Sequence, residues 1–340
     1  MVGALDRMAA YTAGVPGSVK EEGKFGLSVE ERASMKKSDL FMNDLRESGF
    51  VMDELEEVML SSGNQLVIAG AGTGKTTTLL NKIKRDTLTG ELTEEKVING
   101  RNVRVMSPVL VSTFLRSGAE DLQRSMVELE RRFGLQNTSG SITFSTLHAE
   151  FYRSLRELGF EYRLIDGKRN RNYLRNVINE KGVRWDGSVL NSKMLDHFMT
   201  AVEFSRARLD GSRYNSRIYD ECRLSPVEVD DILWSWQQMR AFNGFVDFGD
   251  MEEVLYRLCY VDKREDVIDY ISSKYKYIYL DEFQDTSQLQ YELIKVYASK
   301  AKKIVAIGDD DQTIYSFRGS SIEVITEKFI EDFRPTVNKI

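Results

Sequence analysis

The sequence predicts an α/β fold: a parallel sheet carrying a phosphate loop, with a mostly helical subdomain inserted into it. Three observations point there. Short apolar runs (QLVIA, PVLVSTF, YKYIYL, KKIVAIG) alternate with stretches of helical period, the pattern of a sheet covered by helices on both faces. The first run leads directly into glycines and then Lys75 and Thr76, which reads as strand, turn and helix start. Between residues 123 and 245 the periods are mainly helical, with few strand signals beyond SITFS.

Taken in chain order, residues 1–40 mix glycine, serine and charge without a sustained period and read as an appended, partly ordered arm. A helical pattern runs from Asp44 through Ser61. A strand follows at 65–69, and a helix runs from Gly74 to about Arg85. PVLVSTF (108–114) is a second strand, followed by the helical GAEDLQRSMVELERRF. Later strands are expected at 275–280 and 302–308. Residues 41–122 and 246–340 thus compose the sheet-bearing domain, and 123–245 the helical insertion. There is no internal repeat.

The stretch NQLVIAGAGTGKT (64–76) fits the phosphate-loop pattern except at its first glycine, where Ala69 stands. Gly70, Gly72 and Gly74 have no side chains, so successive backbone N–H groups can turn inward and hold phosphate oxygens at the positive end of a helix. Nucleotide contacts are accordingly assigned to Ala69, Gly70, Ala71, Gly72, Thr73, Gly74, Lys75, Thr76 and Thr77. Lys75 reaches the β and γ phosphates, and the Thr76 hydroxyl binds Mg2+. In YKYIYLDEFQDTS, an apolar strand delivers Asp281 and Glu282 to its carboxyl end, where open α/β sheets bind ligands. Asp281 is suited to hold the hydration shell of Mg2+, and Glu282 to deprotonate the attacking water. A third run, VAIGDDDQTIYSFRGS, places Gln312 within reach of a γ phosphate and follows it with Tyr315, Phe317 and Arg318, residues able to stack on bases and neutralise backbone phosphate.

Composition narrows the class. With 41% hydrophobic and 29% charged residues over 340 positions, the chain can bury substantial cores in about two domains. Two cysteines, Cys222 and Cys259, and two histidines, His148 and His197, cannot assemble a disulfide framework or a Cys/His zinc site. The N-terminal apolar stretch is broken by Asp6 and Arg7, and no later segment approaches the roughly 20 apolar residues of a membrane span. No membrane association and a cytoplasmic location are expected. A formal charge of -6 means that any nucleic-acid binding must come from a local surface. Residues 151–175, where arginines interleave with aromatics, are a candidate.

In combination, AGAGTGKT, DEFQDT and GDDDQTIYSFRG resemble motifs I, II and III of UvrD/Rep/PcrA-like superfamily 1A DNA helicases. VSTFLRSGAEDL (111–122) and STLHAEFYR (145–153) are similar to motifs Ia and Ib, and VDFGDM (246–251) to the DF-type segment after the inserted subdomain. The resemblance covers roughly residues 50–340 and implies a RecA-like domain 1A interrupted by a helical subdomain 1B. By position it implies that Lys75, Thr76, Asp281, Glu282 and Gln312 handle ATP with Mg2+. It also implies that Phe114, Arg116, His148, Tyr315, Phe317 and Arg318 face single-stranded DNA or a single/double-strand junction. At the position where the family carries an adenine-reading glutamine stands Glu54, which can accept from the adenine amino group but cannot donate to a ring nitrogen. That leaves the choice among nucleoside triphosphates open. Phe317 stands where tryptophan is usual.

The family's second RecA-like domain, with its γ-phosphate arginines, would follow Ile340, so these residues read as half of a motor that the second domain completes in cis or in trans. The resemblance further implies work in DNA repair or replication, with a protein partner there. A RecB/AddA-like helicase-nuclease subunit and a nucleotide-gated DNA-binding or interaction module share the same features.

Overall fold

The computed structural model describes residues 29–49, 53–135, 138–183, 192–207, 224–309 and 327–340. The chain divides into two compact units, residues 1–50 and 51–340. In the first, helices α1 (Val29–Ser34) and α2 (Lys37–Glu47) are joined by Arg32, whose guanidinium reaches Asp44 at 2.9 Å and Glu47 at 2.6 Å. Helix therefore starts earlier than the sequence pattern suggested, because ion pairing between two short helices leaves no trace in apolar periodicity.

Among the described residues the second unit has ten strands. They are β1 (Gln65–Ile68), β2 (Thr93–Ile98), β3 (Arg101–Met106), β4 (Val109–Ser112), β5 (Ile142–Ser145), β6 (Arg163–Leu164), β7 (Phe245–Val246), β8 (Tyr277–Leu280), β9 (Lys303–Gly308) and β10 (Thr336–Lys339). Its helices are α3 (Asp53–Leu60), α4 (Lys75–Leu88), α5 (Arg116–Phe133), α6 (Leu147–Glu157), α7 (Gly167–Glu180), α8 (Ser192–Ala207), α9 (Pro226–Phe242), α10 (Phe248–Tyr256), α11 (Glu265–Ser273), α12 (Gln288–Ala298) and α13 (Phe329–Phe333).

Six strands form one sheet in the order β10-β1-β9-β8-β4-β5, every neighbouring pair parallel. All residues of β1, β4, β8 and β9 are buried, which is why these strands read as unbroken apolar runs. The register aligns their carboxyl ends: Ile68 lies opposite Gly308, Ala306 opposite Leu280, and Leu280 and Ser145 opposite Ser112. Ala69, Asp309, Asp281, Thr113 and Thr146 therefore leave the sheet along a single rim.

Three features depart from the sequence pattern. Strand β5 and helix α6, inside the stretch read as helical insertion, belong to the main sheet and its apolar core, where Phe151 and Leu155 are buried. Strand β10 pairs with β1 at the sheet edge; only Asn338 in it is buried, so it carries no apolar signature. β2 and β3 form an antiparallel hairpin turning at Asn99 and Gly100, both with positive φ (51° and 75°). Asn-Gly is the residue pair such a tight turn favours.

A second apolar cluster lies on the helical side. It gathers Leu174 and Val177 of α7, Leu195 and Phe198 of α8, and Val229, Ile232 and Trp236 of α9. Arg240 ties it to the sheet-bearing part, pairing with Asp247 and Asp250, both at 2.8 Å, at the capping box that starts α10. At the other end of α4, Asp86 is fully buried among Lys82 (3.0 Å), Lys303 (2.8 Å) and the Tyr279 hydroxyl (2.7 Å). Lys82 also donates to the carbonyls of Met59 and Ser61, fastening α3 to α4.

Candidate nucleotide site and the adjoining cleft

The loop between β1 and α4 begins with the Ala69 N–H donating to Gly308 O at 2.8 Å, which ties it to β9. Gly72 and Gly74 have φ of 76° and 85°, backbone that side-chain-bearing residues adopt only at a cost. Gly74 is the N-cap of α4 and supplies no side-chain acceptor, so the first N–H groups of the helix keep their capacity for an anion. The Lys75 ammonium lies 3.1 Å from Asp309 Oδ2 and 3.3 Å from Gly70 O, folded across the loop. The Thr76 hydroxyl donates to Asp281 Oδ2 at 2.8 Å, joining loop to strand β8.

Asp281 is almost completely buried, and burial pushes its carboxyl up to about 6 against the opposing effect of the Thr76 hydrogen bond. Glu282 follows in a left-handed conformation (φ 50°), its N–H donating to Asp281 Oδ1 at 3.1 Å. That turn aims the two adjacent carboxylates differently, although both come from one strand end. Gln284 donates to Glu282 Oε2 at 2.6 Å and accepts the Asp309 N–H at 3.0 Å.

Beside this cluster a cleft opens at the ends of β4, β5 and β8. Phe114, Thr146, His148, Asp281, Glu282, Thr286 and Gln290 line it. Of the residues expected to face DNA, Phe114 and His148 share this cleft. The His148 Nε2 is 3.0 Å from Glu252 and its ring packs on Phe248 at 4.6 Å, so the imidazole is anchored from behind. Arg116, at the first position of α5, is largely exposed and pairs with Glu120 at 3.0 Å. Gln312, Tyr315, Phe317 and Arg318 lie outside the described residues, as does the side chain of Glu54.

Sequence reasoning did not assign Gln284, Asp309, Glu252 or Gln290. The first two stand inside runs already singled out, DEFQDT and GDDDQ, so position in those runs was the available signal. Glu252 and Gln290 come from separate helices, and only the fold brings them to His148, with Gln290 Nε2 2.7 Å from Glu252.

Residues 52–334 match the UvrD/REP helicase N-terminal domain family. The chain belongs to this family. Among relatives of this UvrD-like chain, the ATP-dependent DNA helicase PcrA of Staphylococcus aureus is 27% identical over 302 residues, covering 85% of this chain. The ATP-dependent DNA helicase PcrA of Staphylococcus epidermidis is 26% identical over 287 residues, covering 83%. The UvrD-like chain spans 36% of the length of each of these relatives. Its six-stranded parallel sheet is consistent with the RecA-like domain expected of a UvrD-like helicase. Among the described residues no helix is long and apolar enough to cross a membrane.

Proposed function

We propose that residues 1–340 supply the ATP-binding RecA-like part of a UvrD-like DNA helicase, which moves on single-stranded DNA when joined by a second RecA-like domain. One observation carries this reading: Lys75, Thr76, Asp281 and Glu282, drawn from two distant segments, meet at the sheet rim with Thr76 and Asp281 bonded at 2.8 Å. The second domain is inferred from relatives of whose length the matched stretch covers 36%. Sheet-bearing residues 53–157 and 246–340 form the ATPase part, and the α7–α9 region the inserted helical part. Because strand register brings the ends of β1, β4, β5, β8 and β9 level, the same rim presents both the nucleotide site and the cleft.

In this reading the α4 N-terminus and the loop amides from Gly70 to Gly74 hold the phosphates. Thr76 Oγ1 and Asp281 Oδ2 would hold Mg2+, which would supply positive charge to offset the phosphates. Lys75 leaves Asp309 for the β and γ phosphates. Glu282 orients a water and takes its proton. Gln312 contacts the γ phosphate, and Tyr315, Phe317 and Arg318 continue the strand-binding surface begun by Phe114, Arg116 and His148. Closure of the second domain would bring arginine to the γ phosphate, an effect worth about 10^3 to 10^5 in turnover.

Calorimetry with MgATP tests the site. Lys75→Ala is expected to abolish binding, whereas Glu282→Gln keeps binding and loses about 100-fold or more of turnover. Equal affinity in wild type and Lys75→Ala overturns the assignment. On labelled single-stranded DNA, Phe114→Ala should weaken binding by about 1–3 kcal/mol at any salt, while Arg116→Ala should reduce the salt slope by about one. No binding by folded protein at low salt would instead favour an interaction module.

A further inference from the structure

Four groups form a hydrogen-bonded chain beside the phosphate loop. Glu282 is held by Gln284, Gln284 by the Asp309 backbone, and the Asp309 side chain by Lys75. Both ends of the Gln284 amide are committed. The amide is buried, with Oε1 accepting the Asp309 N–H at 3.0 Å and Nε2 donating to Glu282 Oε2 at 2.6 Å. A backbone N–H can only donate, so it fixes which end of the amide is oxygen, and the NH2 must face the carboxylate. Glu282 needs such a partner. Its own backbone is left-handed, a strained state that persists only where surroundings over-determine it, and among the described residues Gln284 is the group bonded to its carboxylate.

We propose that Gln284 is a positioning residue for ATP hydrolysis, aiming the Glu282 carboxylate at the attacking water and tying that aim to the end of β9. The inference rests on the ATPase reading above. Gln284 touches neither nucleotide nor water; it acts through Glu282. Any displacement of Asp309 when Lys75 transfers to phosphate is passed by the amide to the general base.

Gln284→Met retains length and burial while removing donor and acceptor. It is expected to lower single-turnover hydrolysis by about 100-fold, the scale of an ångström-sized misplacement of a reacting group, while MgATP affinity stays within about two-fold. Gln284→Glu keeps the acceptor for Asp309 but sets a second carboxylate against Glu282, and should be equally slow. The decisive comparison is a double-mutant cycle. In a Glu282→Gln background, Gln284→Met should have no further effect on turnover, because the group it aims is gone. Additive losses, or a fall in affinity parallel to turnover, would mean a structural role and overturn the proposal. So would full activity of Gln284→Met in protein whose hydrolysis depends on Lys75. Absence of any Lys75-dependent hydrolysis defeats the ATPase reading itself, and this inference with it.

Discussion

Burial pushes the Asp281 carboxyl up to about 6, so its ionised form is strained before any cation arrives. The folded pKa lies above the ordinary 3.8. Stability from this group is therefore fully present below about pH 4 and is lost as pH rises through about 6. At pH 7 the cost is about 3 kcal/mol. Asparagine in its place can accept the Glu282 N–H with its one oxygen and donate its NH2 to the Thr76 hydroxyl, without carrying charge. Asp281→Asn should accordingly stabilise the nucleotide-free protein at pH 7 by about 1–3 kcal/mol in urea melts, with the gain vanishing near pH 4. Added MgATP should raise the melting point of wild type far more than that of the variant. A variant less stable than wild type at pH 7 without Mg2+ would show that the charge is compensated in the fold itself.

Elements were legible wherever both faces of a strand are covered. β1, β4, β8 and β9 stand out because burial on two sides forces apolar side chains at every position. Glycines and acids at their ends located the rim chemistry for the same reason. β10 escaped because an edge strand with one buried residue needs no such composition, whereas β5 is visible as SITFS but reads as part of the insertion because helices flank it on both sides. The β2–β3 hairpin was announced by Asn99-Gly100, a turn signal that the charged, largely exposed strands around it obscured. A side chain at Gly100 would meet nothing within 4 Å, so only its positive φ opposes substitution. Gly100→Val should cost about 1–2 kcal/mol locally. Faster hydrogen exchange across 93–106, with MgATP affinity unchanged, is the expected result; a loss of nucleotide binding would show that the hairpin supports the site.

Across the whole molecule, Asp86 is the point at which α3, α4, β8 and β9 are fastened. Two buried ammonium groups lean on this carboxylate, and desolvation pushes Lys82 down to about 8. Asp86→Asn leaves Lys82, among the described residues, without an anion within salt-bridge range and Lys303 with Glu91 at 2.8 Å, and should cost about 3–5 kcal/mol at pH 7. Lys82 has a folded pKa below the ordinary 10.5, so between about pH 8 and 10.5 the unfolded chain holds the extra proton and the penalty of burying that lysine shrinks as pH rises. The damage from Asp86→Asn should therefore be smaller at pH 9 than at pH 7 in chemical denaturation. An equal loss at both values would assign it to the Tyr279 hydrogen bond instead. None of this node could be read from sequence, because Lys82, Asp86, Tyr279 and Lys303 meet only once the sheet order is known.

The shared strand register also sorts the chain by how it tolerates changes in length. One residue added within Tyr277–Leu280 would carry Asp281 about 3.3 Å along the strand and turn it to the opposite face, away from Thr76. The same residue added at Asn99–Gly100 lengthens a ribbon joined to the amino end of β4, at the far edge of the sheet from the rim. Insertions and deletions should accumulate at that hairpin in descendants of this chain, while the spacing from β8 into DEFQDT stays constant even where the letters change.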